Sequence, residues 1–370
     1  MTFHANLSAT EIGFYQALVL SPFLIFTIIG GAITDKVGAK LSYTVSTGLF
    51  ATILIAYGIL DHEAGYTSTF FFIYCVLAGV VSAVSNPSID TFIPEATPKS
   101  SQENSLLAAT THNIGKLTGT ITALALPFIS SIGGFIFNGF LMIASVVFLA
   151  KHKKTEVPFP EISKVGRPAK HGVLRSIISH YKSCPENFDI LLSSGLLGLL
   201  VVPTGYILVP LVLRARFPEN GDMIAFVYIS FWIGAISSTA IAHKLSAKIV
   251  LPGKTALLLW TGFALILLML IIVDHFILLC LLVMILGGEK AGKPLVYGKY
   301  LHNCPEDQRG VLISVDQTAF WGLATIGTFG LGLMVDSFGL NTTIIFNTIA
   351  MIGGAGILAL RGNLTRMKPA

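Results

Sequence analysis

The sequence predicts an all-α membrane protein built from two pseudo-symmetric helical halves, with eleven predicted spans of a twelve-span architecture. Three observations lead there. Of 370 residues, 53% are hydrophobic and only 12% charged, against about 25% charged in soluble domains, and the mean hydropathy is +0.77. The apolar residues fall in continuous runs of about twenty, the helical length that crosses a hydrocarbon core of ~30 Å. The run order also repeats at an offset of about 207 residues.

The runs read, in order, as spans over 12–33, 41–60, 70–89, 106–128, 134–150, 188–210, 223–242, 255–273, 276–297, 311–335 and 342–360. Continuous runs of this length exclude the alternating strands of an outer-membrane barrel. One polar stretch is long, 151–187, with eight Lys or Arg and with Pro158, Pro160 and Pro168. It separates a first half, 1–150, from a second, 188–370, and reads as a cytoplasmic basic linker. A regulatory or lipid-binding segment is the alternative. Cys75, Cys184, Cys280 and Cys304 form no CxxC pair and are expected as free thiols. The opening residues lack the basic and apolar regions of a signal peptide. Net charge is +5, with basic residues in the loops between apolar runs, so nucleic acid is not an expected partner.

Basic residues set the orientation. With 1–11 outside, the loops assigned to the cytoplasm hold nineteen Lys and Arg. The outer loops hold two, Arg214 and Arg216, and Lys116, Lys290 and Lys293 lie within spans. The N-terminus is therefore expected outside and the C-terminus in the cytoplasm. Ala32–Lys40 matches Ala240–Lys248 at five of nine positions, and Asn86-Pro87 faces Lys293-Pro294. Adding about 207 carries spans one to five onto spans seven to eleven. Two parallel halves are a transporter architecture. The sixth span, 188–210, then has no partner, so the first helix of a twelve-span protein is expected to be missing. A true eleven-span protein is the alternative.

The loop after the first span reads Gly31-Ala-Ile-Thr-Asp35-Lys36-Val-Gly38-Ala-Lys40. Glycines let helix ends approach and turn. A carboxylate here can sit at the positive N-terminal end of a neighbouring helix, and the lysines suit cytoplasmic headgroups. Gly31, Asp35, Lys36, Gly38 and Lys40 fill the pattern G-x-x-x-D-(R/K)-x-G-x-(R/K), and the loop resembles the cytoplasmic signature of the major facilitator superfamily. The resemblance implies a gating role for Asp35, latching the outward-facing state. A solvated turn with topogenic lysines is the simpler reading. In the second half His243 and Ser246 replace the Asp and the second Gly, so a one-sided latch is expected.

Asn86-Pro-Ser-Ile-Asp-Thr-Phe-Ile-Pro94-Glu95, Asn104-Ser-Leu and Asn113-Ile-Gly-Lys-Leu-Thr-Gly119 resemble the branch of that superfamily that includes the enterobactin exporter and related drug exporters. Ile89 stands where that pattern often has a basic residue, and Thr120 replaces the Pro of the antiporter signature.

Charges at membrane depth cost ~2.5–3.5 kcal/mol on insertion scales and mark functional positions. Lys116, near the middle of the fourth span, is expected to face a cavity and bind an anionic group or pair with an acid; a structural ion pair is the alternative. His112, one turn away, could titrate during transport or simply pack through a hydrogen bond. Glu289 is the candidate proton-coupling acid. Its spacing to Lys293 also predicts a Glu–Lys pair along one helix face. Asp316 and Asp90, at the cytoplasmic ends of their spans, read as cytoplasmic gate or helix-start charges, and Lys293 and Asp316 join Lys116, His112 and Glu289 as candidates for substrate or proton coupling. Phe70–Phe72, Phe231-Trp232 and Phe320-Trp321 are candidates for an apolar lining, and Trp260 could equally face lipid.

The resemblance implies a secondary active transporter of the inner membrane, monomeric, working by alternating access. Proton-coupled efflux of a siderophore or amphipathic compound is the leading expectation. The alternatives are a multidrug, lysophospholipid or metabolite carrier, and a non-transporting receptor or assembly protein of the same fold. No Walker, HExxH or GxSxG motif and no metal-ligand cluster is present, so neither ATP drive, enzymatic activity nor a cofactor is expected.

Overall fold

The computed structural model describes residues 8–64, 68–93, 97–124, 126–151 and 173–369. Among these there is no strand. The helices are α1 (Ala9–Val37), α2 (Ala39–Ala64), α3 (Ser68–Phe92), α4 (Ser101–Ala123), α5 (Leu126–Lys151), α6 (Val173–Ser183), α7 (Pro185–Arg216), α8 (Ile224–Lys244), α9 (Pro252–Met269), α10 (276–303), α11 (Glu306–Phe338) and α12 (Leu340–Arg361). Residues 152–172 of the expected linker lie outside the described residues. Its end forms α6, which turns Ile177 and Tyr181 onto the buried core.

Local chemistry sets the helix ends. Ser8 caps α1, its Oγ accepting from the Glu11 N–H at 3.2 Å while Glu11 Oε2 accepts from the Ser8 N–H at 2.8 Å, a reciprocal capping box. Gly38 ends α1 at φ 89°, a backbone region open chiefly to glycine, and α2 starts on the next residue. The fourth and fifth spans, read as 106–128 and 134–150, are α4 at Ser101–Ala123 and α5 at Leu126–Lys151. The displacement has a local cause. Ser100 Oγ accepts from the Glu103 N–H, so the polar residues 101–104 are already helical and the apolar run starts a turn late.

Nine of the described helices combine the length and apolarity of a membrane crossing. Two further crossings, α4 and α10, fall short for instructive reasons. Gln102, Glu103, Asn104, His112, Asn113 and Lys116 all lie on α4. A 3-10 segment at Gly287–Ala291, carrying Glu289 and Lys290, interrupts α10. Both of these crossings line the cavity described below.

The most extensive contacts between the first five crossings and the last six are α1 with α11 and α4 with α8. The sequence repeat maps α1 onto α8 and α4 onto α11, so one two-fold operation exchanges the two contacts. The densest core lies in α7–α12, where Trp260, Tyr300, Leu267 and Leu279 are fully buried. Trp260 is thus a core residue and does not face lipid: a Cβ on Gly292 would collide with its ring, so α9 and α10 meet with no space for a side chain at that point. Cys75, Cys184, Cys280 and Cys304 are free thiols.

Candidate functional site

A cavity of about 340 Å³ lies between the two sets of crossings, lined from α3, α4, α7, α8, α9, α10 and α11. Helical breaks surround it. The π-helical segments Leu197–Val201 and Thr204–Leu208 interrupt α7, and Thr318–Gly322 interrupts α11. Such turns unsettle the i to i−4 ladder and recur at functional sites. In a membrane the displaced carbonyls need partners, and side chains supply them. Tyr228 OH donates to Gly205 O at 3.0 Å, and Asn347 Nδ2 donates to Leu200 O at 3.3 Å and to Thr204 Oγ1 at 2.9 Å.

Phe231, Trp232, Phe320 and Trp321 line the cavity; Phe70–Phe72 do not. Phe71 instead joins Tyr57, Tyr74 and Phe135 in an aromatic cluster elsewhere in the first half. The wall also carries Lys116, His112, Asp90, Glu289, Lys290 and Lys293. Lys116 lies fifteen residues into α4, roughly 22 Å along its axis. Its ammonium sits over the Trp232 ring, 5.0 Å from the centroid, and among the described residues it has no carboxylate within ion-pair distance. A ring face attracts a cation electrostatically, the more so where both are desolvated.

The expected pair between Glu289 and Lys293 does not form. Glu289 Oε1 pairs with Lys290 Nζ at 2.5 Å, and Lys293 Nζ with Asp316 Oδ2 at 3.0 Å. The 3-10 segment at Gly287–Ala291 winds three residues per turn, so the i, i+4 alignment assumed for an α-helix fails there. Lys293 also lies 4.1 Å from the Phe320 centroid. Asp316 is no helix-start charge: its side chain is 0% exposed, and its Oδ1 accepts from Ser194 Oγ at 2.5 Å. Asp90 is likewise no loose end. Its Oδ2 accepts from Tyr297 OH at 3.0 Å and from Gln317 Nε2, joining α3 to α10 and α11 across the cavity wall. Asn113 Nδ2 and Gln317 Oε1 are buried with no hydrogen-bond partner among the described residues. Lys290, Ser194, Tyr297 and Gln317 were not singled out by sequence. Lys290 alone carried a signal, as a charge inside an apolar run.

At the end that the charge count assigns to the cytoplasm, Asp35 closes α1 onto α11. Its Oδ1 accepts from the Gly310 N–H at 2.6 Å and its Oδ2 from the Val311 N–H at 2.8 Å, the first amides of an α-helical segment, where a carboxylate is favoured. A Cβ on Gly31 would fall against Gly310 O and the Ser314 side chain. Lys36 is exposed, and Lys40 is half-buried. The matching loop after α8 makes a weaker contact with α4, Ser246 Oγ donating to Glu103 Oε1 at 3.4 Å.

Comparison with known proteins agrees with this architecture. The chain is 24% identical over 366 residues to the staphyloferrin A transporter of Staphylococcus aureus (strain NCTC 8325 / PS 47), covering 95% of this chain and 86% of that protein. In fold it is similar to the Escherichia coli fucose:proton symporter, with a TM-score of 0.68 at 14% identity over 96% of this chain and 92% of that one. It is equally similar to the human organic anion transporter MFSD10, with a TM-score of 0.68 at 14% identity, covering 94% and 83% of the two chains. The family profile of the Major Facilitator Superfamily matches residues 1–328, and the chain, an integral membrane protein, belongs to that family of small-molecule carriers.

Proposed function

We propose that the protein is a secondary active transporter of the inner membrane that exports a siderophore or related amphipathic compound by alternating access, driven by protons. It works as a monomer with its C-terminus in the cytoplasm. The halves 1–150 and 188–370 rock about the central cavity, joined by the basic linker 151–187, and Asp35 with Gly31, Lys36, Gly38 and Lys40 acts as the cytoplasmic gate. The observation that carries the reading is Lys116: a cation deep in a polar–aromatic cavity, resting on Trp232 with no carboxylate partner among the described residues. Iron chelators present anionic oxygens, which such a cation attracts, and a transporter of staphyloferrin A is among the relatives. Glu289, buried beside Lys290, is the acid assigned to carry the proton. His112, Lys293 and Asp316 complete the coupling group.

The test is uptake of labelled staphyloferrin A into inside-out proteoliposomes under an imposed proton gradient. Wild type is expected to accumulate it. Lys116→Ala should abolish accumulation, and Glu289→Gln should uncouple it from the gradient. Wild-type vesicles that neither accumulate nor exchange staphyloferrin A would refute the siderophore reading. Gradient-driven movement that survives Glu289→Gln would refute the assignment of the acid.

A further inference from the structure

The two ends of the α1–α11 pair are built alike. Gly31-x-x-x-Asp35-x-x-Gly38 ends α1, and Gly332-x-x-x-Asp336-x-x-Gly339 ends α11. The likeness extends to the backbone. Gly339 has φ 81° and Gly38 φ 89°, and each is followed at once by a new helix. It extends to the contacts as well. Asp336 Oδ1 accepts from the Ala9 N–H at 3.2 Å and Oδ2 from the Thr10 N–H at 2.8 Å. These are the first amides of α1, as Gly310 and Val311 are the amides of α11 that meet Asp35. Glycines bring the backbones together at both ends. A Cβ on Gly13 would lie 2.6 Å from Thr328 O, and one on Gly332 would fall against Ala9 O. At the other end, Gly31 and Gly310 stand in the same relation.

We infer that Asp336 is a second gate, the outer counterpart of Asp35. Each helix of the pair offers a carboxylate near its C-terminal end to the N-terminal amides of the other, so the pair is clamped at both membrane faces, and the structure has both clamps made. A carrier that rocks must release one end while holding the other. The outward-open state breaks the Asp336 contacts and keeps those of Asp35, and the inward-open state does the reverse. A carboxylate at helix amides suits this duty. Its bonds are charge-assisted and directional. When the clamp opens, all the groups freed are at a face where water can receive them, so breaking it strands no charge in the hydrocarbon.

The inference rests on alternating access but on no particular substrate, and its test needs none. Ala109, which lines the cavity, is replaced by Cys as a reporter. A membrane-impermeant maleimide is applied to one face of vesicles of known orientation, against the same protein lacking the reporter. Asp336→Asn is expected to raise labelling from the outer face roughly tenfold, with no rise from the inner face. That is the population shift expected from losing the net worth of one charge-assisted hydrogen bond. Asp336→Glu should return labelling toward wild type. Gly332→Ala, which drives a methyl against Ala9 O, should open the same face by a different route. Should Asp336→Asn not fold, the Gly332→Ala result decides. Unchanged labelling, or an equal rise from both faces, would overturn the second gate. A change confined to the outer face upholds it, even in a protein that moves no siderophore.

Discussion

The Lys293–Asp316 pair offers a quantitative test of how the second half is held together. The ammonium and carboxylate are 3.0 Å apart, with side chains 19% and 0% exposed. Removing one partner of a buried pair typically costs 3–5 kcal/mol, and the two ends of this pair differ. In Lys293→Met the Asp316 carboxylate stays fully buried, with Ser194 Oγ as its one remaining side-chain partner among the described residues; a loss of about 3 kcal/mol follows. In Asp316→Asn the stranded ammonium still lies over Phe320, a contact worth ~0.5–2 kcal/mol, and can extend toward the interface; the loss should be nearer 2 kcal/mol. The double variant strands neither charge and should lose about 1 kcal/mol or less. Equilibrium unfolding of the purified protein in lipid or detergent, run as a double-mutant cycle, should therefore show a coupling of about 4 kcal/mol. Additivity within about 0.5 kcal/mol would refute the pairing.

Three further outcomes follow from contacts described above. Gly31→Ala should weaken the α1–α11 contact at Asp35 by about 1–3 kcal/mol, since the new methyl meets Gly310 backbone and the Ser314 side chain; thiol labelling of Ala109→Cys from the face that carries Asp35 should rise. Tyr297→Phe removes the hydroxyl that donates to Asp90 and should cost about 1–3 kcal/mol of folded stability, read by thermal unfolding; an unchanged midpoint would show that the bond contributes nothing. Burial holds the His180 imidazole pKa below its usual 6.5, and its Nε2 accepts from Asn187 Nδ2 at 3.0 Å, which requires the neutral ring. The unfolded chain therefore binds a proton first as pH falls through about 6.5, and docking of α6 should weaken from there toward the lower folded-state value. Limited proteolysis near α6 should quicken at pH 5 relative to pH 7.5 in wild type and lose that dependence in His180→Gln.

Charge depletion and apolar run length were enough to read the all-helical membrane fold, because a crossing without apolar residues cannot exist in lipid. They failed most at α4. There a serine cap starts the helix on polar residues, and the cavity tolerates polarity that a lipid-facing helix would not. Asp35 was legible for a different reason. Its partners are backbone amides, so one chain segment carries the chemistry and only a helix end is needed opposite. The Lys293–Asp316 and Asp90–Tyr297–Gln317 contacts join residues 23, 207 and 227 positions apart, and no local spacing announces them. Helical periodicity actively misled at Glu289, because the backbone there winds as a 3-10 segment.

The two π-helical segments of α7 have a consequence for how this helix varies between relatives. A π turn holds one residue more than the α-helical turn it replaces, and each residue advances a helix face by roughly 100°. Tyr206 and Val209 reach the cavity wall only in the phase those extra residues set. Deleting one residue within Leu197–Val201 would leave a straighter, equally apolar crossing, yet it would turn the remainder of α7 away from the ligand space and separate Gly205 O from Tyr228. Aligned against a regular helix, α7 should therefore show single-residue gaps in mid-membrane, where such gaps are ordinarily dismissed as alignment error. In this helix an indel resets the lining of the site without changing a single side chain.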